Sequence, residues 1–220
     1  MCGRFSLANG LDTLAERFGF ELPQEGLQPR YNIAPGQPVY VIVCGWVRRM
    51  VRMEWGLIPP WVKEGGKTYR VINVRAETIA NNRVLGLLAA RRRCIVPADG
   101  FYEWKKEGGR KIPMRVTLKT GEPFAFAGLW NTWKKHDGDV LLTFAIVTTT
   151  ANELIEPIHS RMPVILDREG EEIWASGETL DVSRVCPLLK PYPSDELKIW
   201  RVSPLVNSSR IDSPECLKPC

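Results

Sequence analysis

The 220-residue chain has no Cys-x-x-Cys pair, no His-Glu-x-x-His and only two histidines, His136 and His159, so no metal site is assembled along it. Its six cysteines, Cys2, Cys44, Cys94, Cys186, Cys216 and Cys220, are scattered rather than arranged as a disulfide framework, and reduced thiols are expected. No apolar run reaches bilayer length; residues 141–147 are among the longest, so no membrane span is expected. A basic segment followed by an apolar stretch is absent at the N-terminus, which predicts an intracellular protein, cytoplasmic or on the nucleoid if bacterial. Neither a repeat of fixed period nor a low-complexity linker divides the chain, so one domain is expected. Strong charge bias is lacking too: the net charge of +5 permits nucleic-acid binding without requiring it.

What remains is ordinary for a folded protein, with 44% hydrophobic and 25% charged residues. Asn9 and Asp12 read as a capping pair before an amphipathic helix that carries Leu11, Leu14, Ala15 and Phe18 on one face and ends at Gly19. Apolar and β-branched runs predict strands over 39–43, 51–55, 94–98, 101–105, 114–118, 124–130 and 141–148. Helices are predicted over 84–90, over 167–175 with Asp167 as N-cap, and after Asp181, with a turn over 152–155. Strands gathered in the middle, helices at both ends and no βαβ alternation predict an α+β fold with a mostly antiparallel, barrel-like sheet. The polar tail 207–220, with two prolines, predicts an irregular extension.

Cys2 is the residue with the most distinctive chemistry. With Met1 removed it becomes a 1,2-aminothiol, whose amine and thiol have ordinary pKa values of about 7.7–8.0 and 8.5 and are both partly deprotonated near neutral pH. The amine forms an imine with an aldehyde, and the thiol can close onto the imine carbon to give a thiazolidine. The alternative is a buried thiol packed as a small apolar group.

Three further clusters carry functional groups. In 71–78, strand periodicity places Asn73 and Arg75 on one side, or else the segment is a solvated strand edge. Glu103 lies in an aromatic strand, where desolvation raises a carboxyl pKa and suits it to proton transfer; a surface ion pair is the alternative. Asp99 reads as a turn residue. His159 lies between Pro157 and Pro163 and titrates near neutral pH, as a site residue or a structural histidine. His136 falls in a charged turn over 134–139 and is expected to face solvent. Arg4, Arg75, Arg83 and Arg161 are candidate phosphate ligands, and Tyr31, Trp55 and Trp61 candidate stacking surfaces. The run Arg91-Arg92-Arg93 reads as a helix end with a secondary binding role.

Six segments in order, Met1-Cys2-Gly3-Arg4-Phe5, Arg30-Tyr31-Asn32-Ile33-Ala34-Pro35-Gly36, Trp55-Gly56-Leu57-Ile58-Pro59, Ile72-Asn73-Val74-Arg75-Ala76-Glu77-Thr78, Arg93-Cys94-Ile95-Val96-Pro97-Ala98-Asp99-Gly100-Phe101-Tyr102-Glu103-Trp104 and His159-Ser160-Arg161-Met162-Pro163, resemble the motif set of the SOS response associated peptidase (SRAP) family. The resemblance implies one SRAP-type α+β domain over 2–206, with a barrel-like core surrounded by helices; the tail 207–220 matches no motif. It also implies covalent capture of abasic sites in single-stranded DNA, with Cys2 as nucleophile and Asn73 positioning the N-terminus and the opened sugar. Glu103 would assist proton transfer, and His159 Schiff-base formation and reversal. Arg4, Arg75, Arg83 and Arg161 would hold phosphates, while Pro35 and Trp61 would border the DNA. No metal or cofactor and a monomeric state are expected. Two readings compete: a thiol peptidase in which Cys2, Glu103 and His159 remove Met1 or cleave another protein, and a non-catalytic reader of modified or single-stranded DNA.

Overall fold

The computed structural model describes residues 2–21, 26–45, 47–62, 69–134 and 137–220. The apolar runs form strands in two sheets, and the polar-faced segments between them form short helices. In chain order the elements are β1 (Phe5–Leu7), α1 (Leu11–Phe18), β2 (Arg30–Ile33), β3 (Pro38–Cys44), β4 (Arg48–Trp55), β5 (Asn73–Arg75), α2 (Ala76–Ile79), α3 (Arg83–Arg91) and β6 (Arg93–Ala98). They continue with β7 (Gly100–Glu107), β8 (Arg110–Leu118), β9 (Phe124–Lys134), β10 (Val140–Thr150), β11 (Arg161–Pro163), β12 (Ile165–Leu166), α4 (Arg168–Trp174), α5 (Val182–Val185) and β13 (Leu197–Arg201).

Five strands close on themselves. β4 pairs with β3, β3 with β6, β6 with β9 and β9 with β10, all antiparallel, and β10 returns to β4 in parallel through Thr143↔Glu54 and Phe144↔Trp55. Closure removes free edges from these strands. The expected barrel-like core within a mixed fold is therefore present, with helices around it. A second, antiparallel sheet runs β13-β8-β7-β1-β2. Phe5 of β1 packs edge-to-face on Trp55 at 5.2 Å and on Phe126 at 5.9 Å, and is wholly buried. Such pairs contribute about 0.5–1.5 kcal/mol beyond their buried area. They anchor the chain three positions after Cys2.

Several local expectations are changed. Helix α1 begins after Gly10 with no side-chain cap, so Asn9 does not cap it; Asp12 instead sits in the first turn, where the helix dipole favours an anion. Its end at Gly19, left-handed at φ 61°, is as expected. Segment 71–78 is strand only over Asn73–Arg75, paired in parallel with β10, and then turns into α2. The Arg91-Arg92-Arg93 run does end a helix, α3, with Arg91 exposed; buried Arg93 donates to the carbonyls of Ala89, Ala90, Trp174 and Glu178, and Arg92 stacks on Trp130 at 4.4 Å. The tail is irregular, with 3-10 turns at Pro204–Asn207 and Pro214–Leu217, yet it is docked. Cys216 is buried beside Tyr102, Val202 and Val206. The Asp212 carboxylate accepts from the backbone N–H groups of Tyr31 (2.6 Å) and Asn32 (3.0 Å).

Candidate active site

Cys2 precedes β1, and the ladder continues beside it, since Tyr102 N–H donates to the Arg4 carbonyl at 2.9 Å. The residue is wholly buried. Asn73 is placed by the pairing of β5 with β10, and its Nδ2 donates to the Cys2 carbonyl at 2.8 Å. Burial, and after it the negative charge of Glu103, raises the Cys2 thiol pKa well above the usual range, partly opposed by the backbone of Arg4. In the chain that carries Met1 the thiol is therefore shifted toward its protonated form. Met1, whose removal the aminothiol needs, lies outside the described residues, as does the expected solvent-facing His136.

Glu103 lies on β7 and is only 4% exposed. Burial raises its carboxyl pKa above the usual carboxylate range, partly offset by His159. His159 ends a tight turn: its backbone N–H donates to Ile155 O at 3.0 Å, and its Nδ1 accepts from the Arg161 N–H at 3.0 Å. Glu103 and His159 line one cleft of about 580 Å³ together with Trp104, Lys106, Lys111, Ile158 and Asn207. A larger cavity of about 900 Å³, lined by Arg17, Phe124, Asp167 and Tyr192 among others, contains none of the expected catalytic residues.

The arginines divide into two kinds. Arg4 is an internal strut: its Nη1 donates to Asn32 Oδ1 (2.8 Å) and to Val206 O (2.6 Å). Arg161 forms a bidentate pair with Glu77 (2.9 and 3.0 Å) and also donates to Thr148 O at 2.5 Å. Both guanidiniums therefore hold bonds within the protein, and the Nε of each has no hydrogen-bond partner among the described residues. Arg75, Arg83 and Pro35 are exposed. Trp61, 62% exposed, lines an apolar cavity of about 310 Å³ with Asn73, Arg75, Leu57 and Tyr69. Arg83 and Pro35 line neither the cleft nor this cavity. Trp55 is wholly buried in the core and offers no stacking surface.

The expected catalytic residues therefore meet in two pairs, Cys2 with Asn73 and Glu103 with His159, coupled by the charge of Glu103 on Cys2. Trp104 and Lys106 belong to the same segment as Glu103, whereas reading the sequence missed Lys111, which faces Lys106 across the hairpin, and Asn207. Asp99 is more than a turn residue: its carboxylate accepts from Ser6 Oγ (2.6 Å), Arg115 Nη2 (3.0 Å) and the Ala8 N–H, which fixes β1 against β7. Among the described residues, no group of three His, Cys, Asp or Glu side chains is placed to hold a metal ion.

The family model for SOS response associated peptidase (SRAP) matches residues 1–209. The chain is 43% identical over 222 aligned residues to the abasic site processing protein YoqW of Bacillus subtilis (strain 168), covering 99% of both. It is 34% identical to the abasic site processing protein HMCES of Mus musculus, covering 100% of this chain and 76% of that one. A crystal structure of a protein from Bacteroides thetaiotaomicron superposes with a TM-score of 0.87 at 26% identity, covering 100% of each chain. Matched by the family model from its first residue to its tail and by a relative along nearly all of its length, the chain belongs to the SOS response associated peptidase family.

Proposed function

We propose that this protein captures abasic sites in single-stranded DNA as a thiazolidine on Cys2, once Met1 is removed. The observation that carries the reading is the bond from Asn73 Nδ2 to the Cys2 carbonyl, which holds the future N-terminal residue within electrostatic reach of Glu103. The name shared by the relatives, abasic site processing protein, supports the substrate. A ring-opened abasic sugar carries the aldehyde that a 1,2-aminothiol takes.

The Cys2 amine adds to the aldehyde carbon, and the carbinolamine loses water to give an imine. The thiol sulfur then adds to the imine carbon, and the thiol proton passes to nitrogen. Aldehyde plus aminothiol gives thiazolidine plus one water. With its pKa raised by burial, Glu103 keeps a proton closer to neutral pH than a solvated carboxylate does. That suits it to protonate the ring oxygen as the sugar opens and the hydroxyl that leaves as water. His159, on the same cleft, serves imine formation and reversal. An imine left alone promotes β-elimination and strand cleavage, whereas the saturated thiazolidine carbon does not.

A thiol peptidase needs a thiol pKa lowered toward neutrality. Burial and Glu103 push Cys2 the other way while Met1 is present, which disfavours an activated peptidase thiol. The test is incubation with a single-stranded oligonucleotide carrying one abasic site, followed by denaturing electrophoresis and intact-mass measurement. The expected product is the chain without Met1 plus the DNA minus one water, absent in Cys2→Ala. A denaturation-resistant crosslink of normal yield in Cys2→Ala refutes the role of the thiol, and DNA binding without any covalent product favours a non-catalytic reader.

A further inference from the structure

β7 and β8 form a hairpin in which Lys106 lies directly opposite Lys111 and Glu107 opposite Arg110. Gly108 and Gly109 close it with φ of 54° and 76°, both left-handed as a type I′ turn requires, and this two-residue turn fixes the register. Directly opposed side chains on paired strands have Cβ atoms about 4.5–5.5 Å apart, and like charges there repel. Glu107 is engaged with Lys105 at 3.7 Å, and among the described residues no carboxylate pairs with Lys106 or Lys111.

Both lysines line the cleft that holds Glu103 and His159. Its wall is fixed between them and the tail, where Trp104 Nε1 donates to Asn207 Oδ1 at 2.7 Å. Arg4 and Arg161 hold internal bonds, and the hairpin adds two further positive charges on this side of the site. An opposed like-charge pair on the wall of a reactive cleft suits an anion that arrives with the substrate.

We propose that Lys106 and Lys111 form a clamp for a backbone phosphodiester of the DNA strand beside the captured sugar. The assignment rests on the reading of single-stranded DNA as substrate, and it adds a phosphate contact on the Glu103 cleft to the one expected of the exposed Arg75 beside Asn73.

The experiment measures binding of a labelled, abasic-free single-stranded oligonucleotide by fluorescence anisotropy across a salt series, for the full chain, Lys106→Gln/Lys111→Gln, Lys106→Arg/Lys111→Arg, and Lys190→Gln as a remote control. Losing two phosphate contacts makes the salt slope shallower by about 1.4 and weakens binding about 10–30-fold at 0.1 M salt. The arginine pair restores both, and Lys190→Gln changes neither. Unchanged affinity and slope in the double glutamine variant overturn the clamp. At matched ionic strength, inorganic phosphate should displace the oligonucleotide no better than chloride does. Selective displacement that the glutamine pair abolishes would assign the lysines to free phosphate and overturn the backbone assignment. Should the wild-type chain crosslink no abasic DNA while the slope difference persists, the capture reading fails and the clamp stands.

Discussion

Asn73 donates its side-chain N–H to the carbonyl of Cys2 at 2.8 Å, and this bond joins a strand paired to the barrel with the residue that leads into the second sheet. The other polar atom of that amide, Oδ1, is buried without a hydrogen-bond partner among the described residues. A buried acceptor of this kind costs on the order of 1–3 kcal/mol unless something meets it, and an opened sugar hydroxyl or the N-terminal amine has the donor to do so.

Asn73→Ala should therefore slow covalent capture about 10–100-fold, the loss typical of a reacting group displaced by about 1 Å, while the affinity for abasic-free DNA changes less than about 2-fold. Single-turnover crosslinking set beside anisotropy reads both. A parallel loss of binding would mean that Asn73 acts on the DNA and not on Cys2.

Glu103 connects reactivity to stability. Its folded-state pKa lies above the ordinary carboxylate value, chiefly through burial, so the folded chain binds this proton more tightly than the unfolded chain. Stability consequently falls as pH rises from about 4.5 through the raised folded value. Glu103→Gln, which carries no ionisable group, should flatten that decline and raise the melting temperature at pH 8 by about 2–4 °C per kcal/mol relieved. Capture should slow at least about 10-fold in the same variant. Melting curves and crosslinking rates from pH 4.5 to 8 test the pair of effects, and equal capture rates would remove Glu103 from the proton transfers.

The Arg161–Glu77 pair gives the opposite sign. The hydrogen bonds from Arg161 hold the Glu77 carboxyl below its usual range, so the pair's contribution is present above the unfolded pKa and is lost as pH falls through the lower folded value. Glu77 is 52% exposed, which limits the contribution through solvent screening to about 1 kcal/mol or less. Glu77→Gln should lower stability by that amount at pH 7 and match the wild type under acid conditions, as read by urea unfolding at both pH values.

Gly100 is required by a close approach. A Cβ there would lie 2.8–2.9 Å from the guanidinium of Arg115, which is ion-paired to Asp99 at 3.0 Å in the network that fixes β1. Gly100→Ala should destabilise the chain by about 1–3 kcal/mol. Crosslinking should fall beyond the loss of folded protein, because the strand that leads from Cys2 shifts with the network. Normal crosslinking per folded molecule would show that β1 keeps its place without Asp99 and Arg115.

Residues close in sequence set the features that were legible before the fold was seen. Asp167 and Asp181 cap helices α4 and α5 with their own carboxylates, and Gly19 ends α1 in the left-handed conformation its missing Cβ permits. The runs that became β3, β9 and β10 are apolar enough to predict strands wherever they lie. The same rules misplaced the start of α1, where Gly10 takes the position expected of a side-chain cap. Cys2, Glu103 and His159 could be named from their chemistry alone, but their surroundings could not. The internal partners of a guanidinium are ones that no local pattern reveals: Arg4 bonds to Val206, 202 positions away, and Arg161 to Glu77, 84 positions away. Closure of β10 onto β4, docking of the tail by Asp212 and the shared cleft of Glu103 with Lys106 and Lys111 belong to the same class. Backbone conformation is set by a residue and its few neighbours. Electrostatic environment and burial are set by whichever distant strands are packed around it, so the reactive groups could be read from the chain while their pKa shifts and their partners were decided by the tertiary structure.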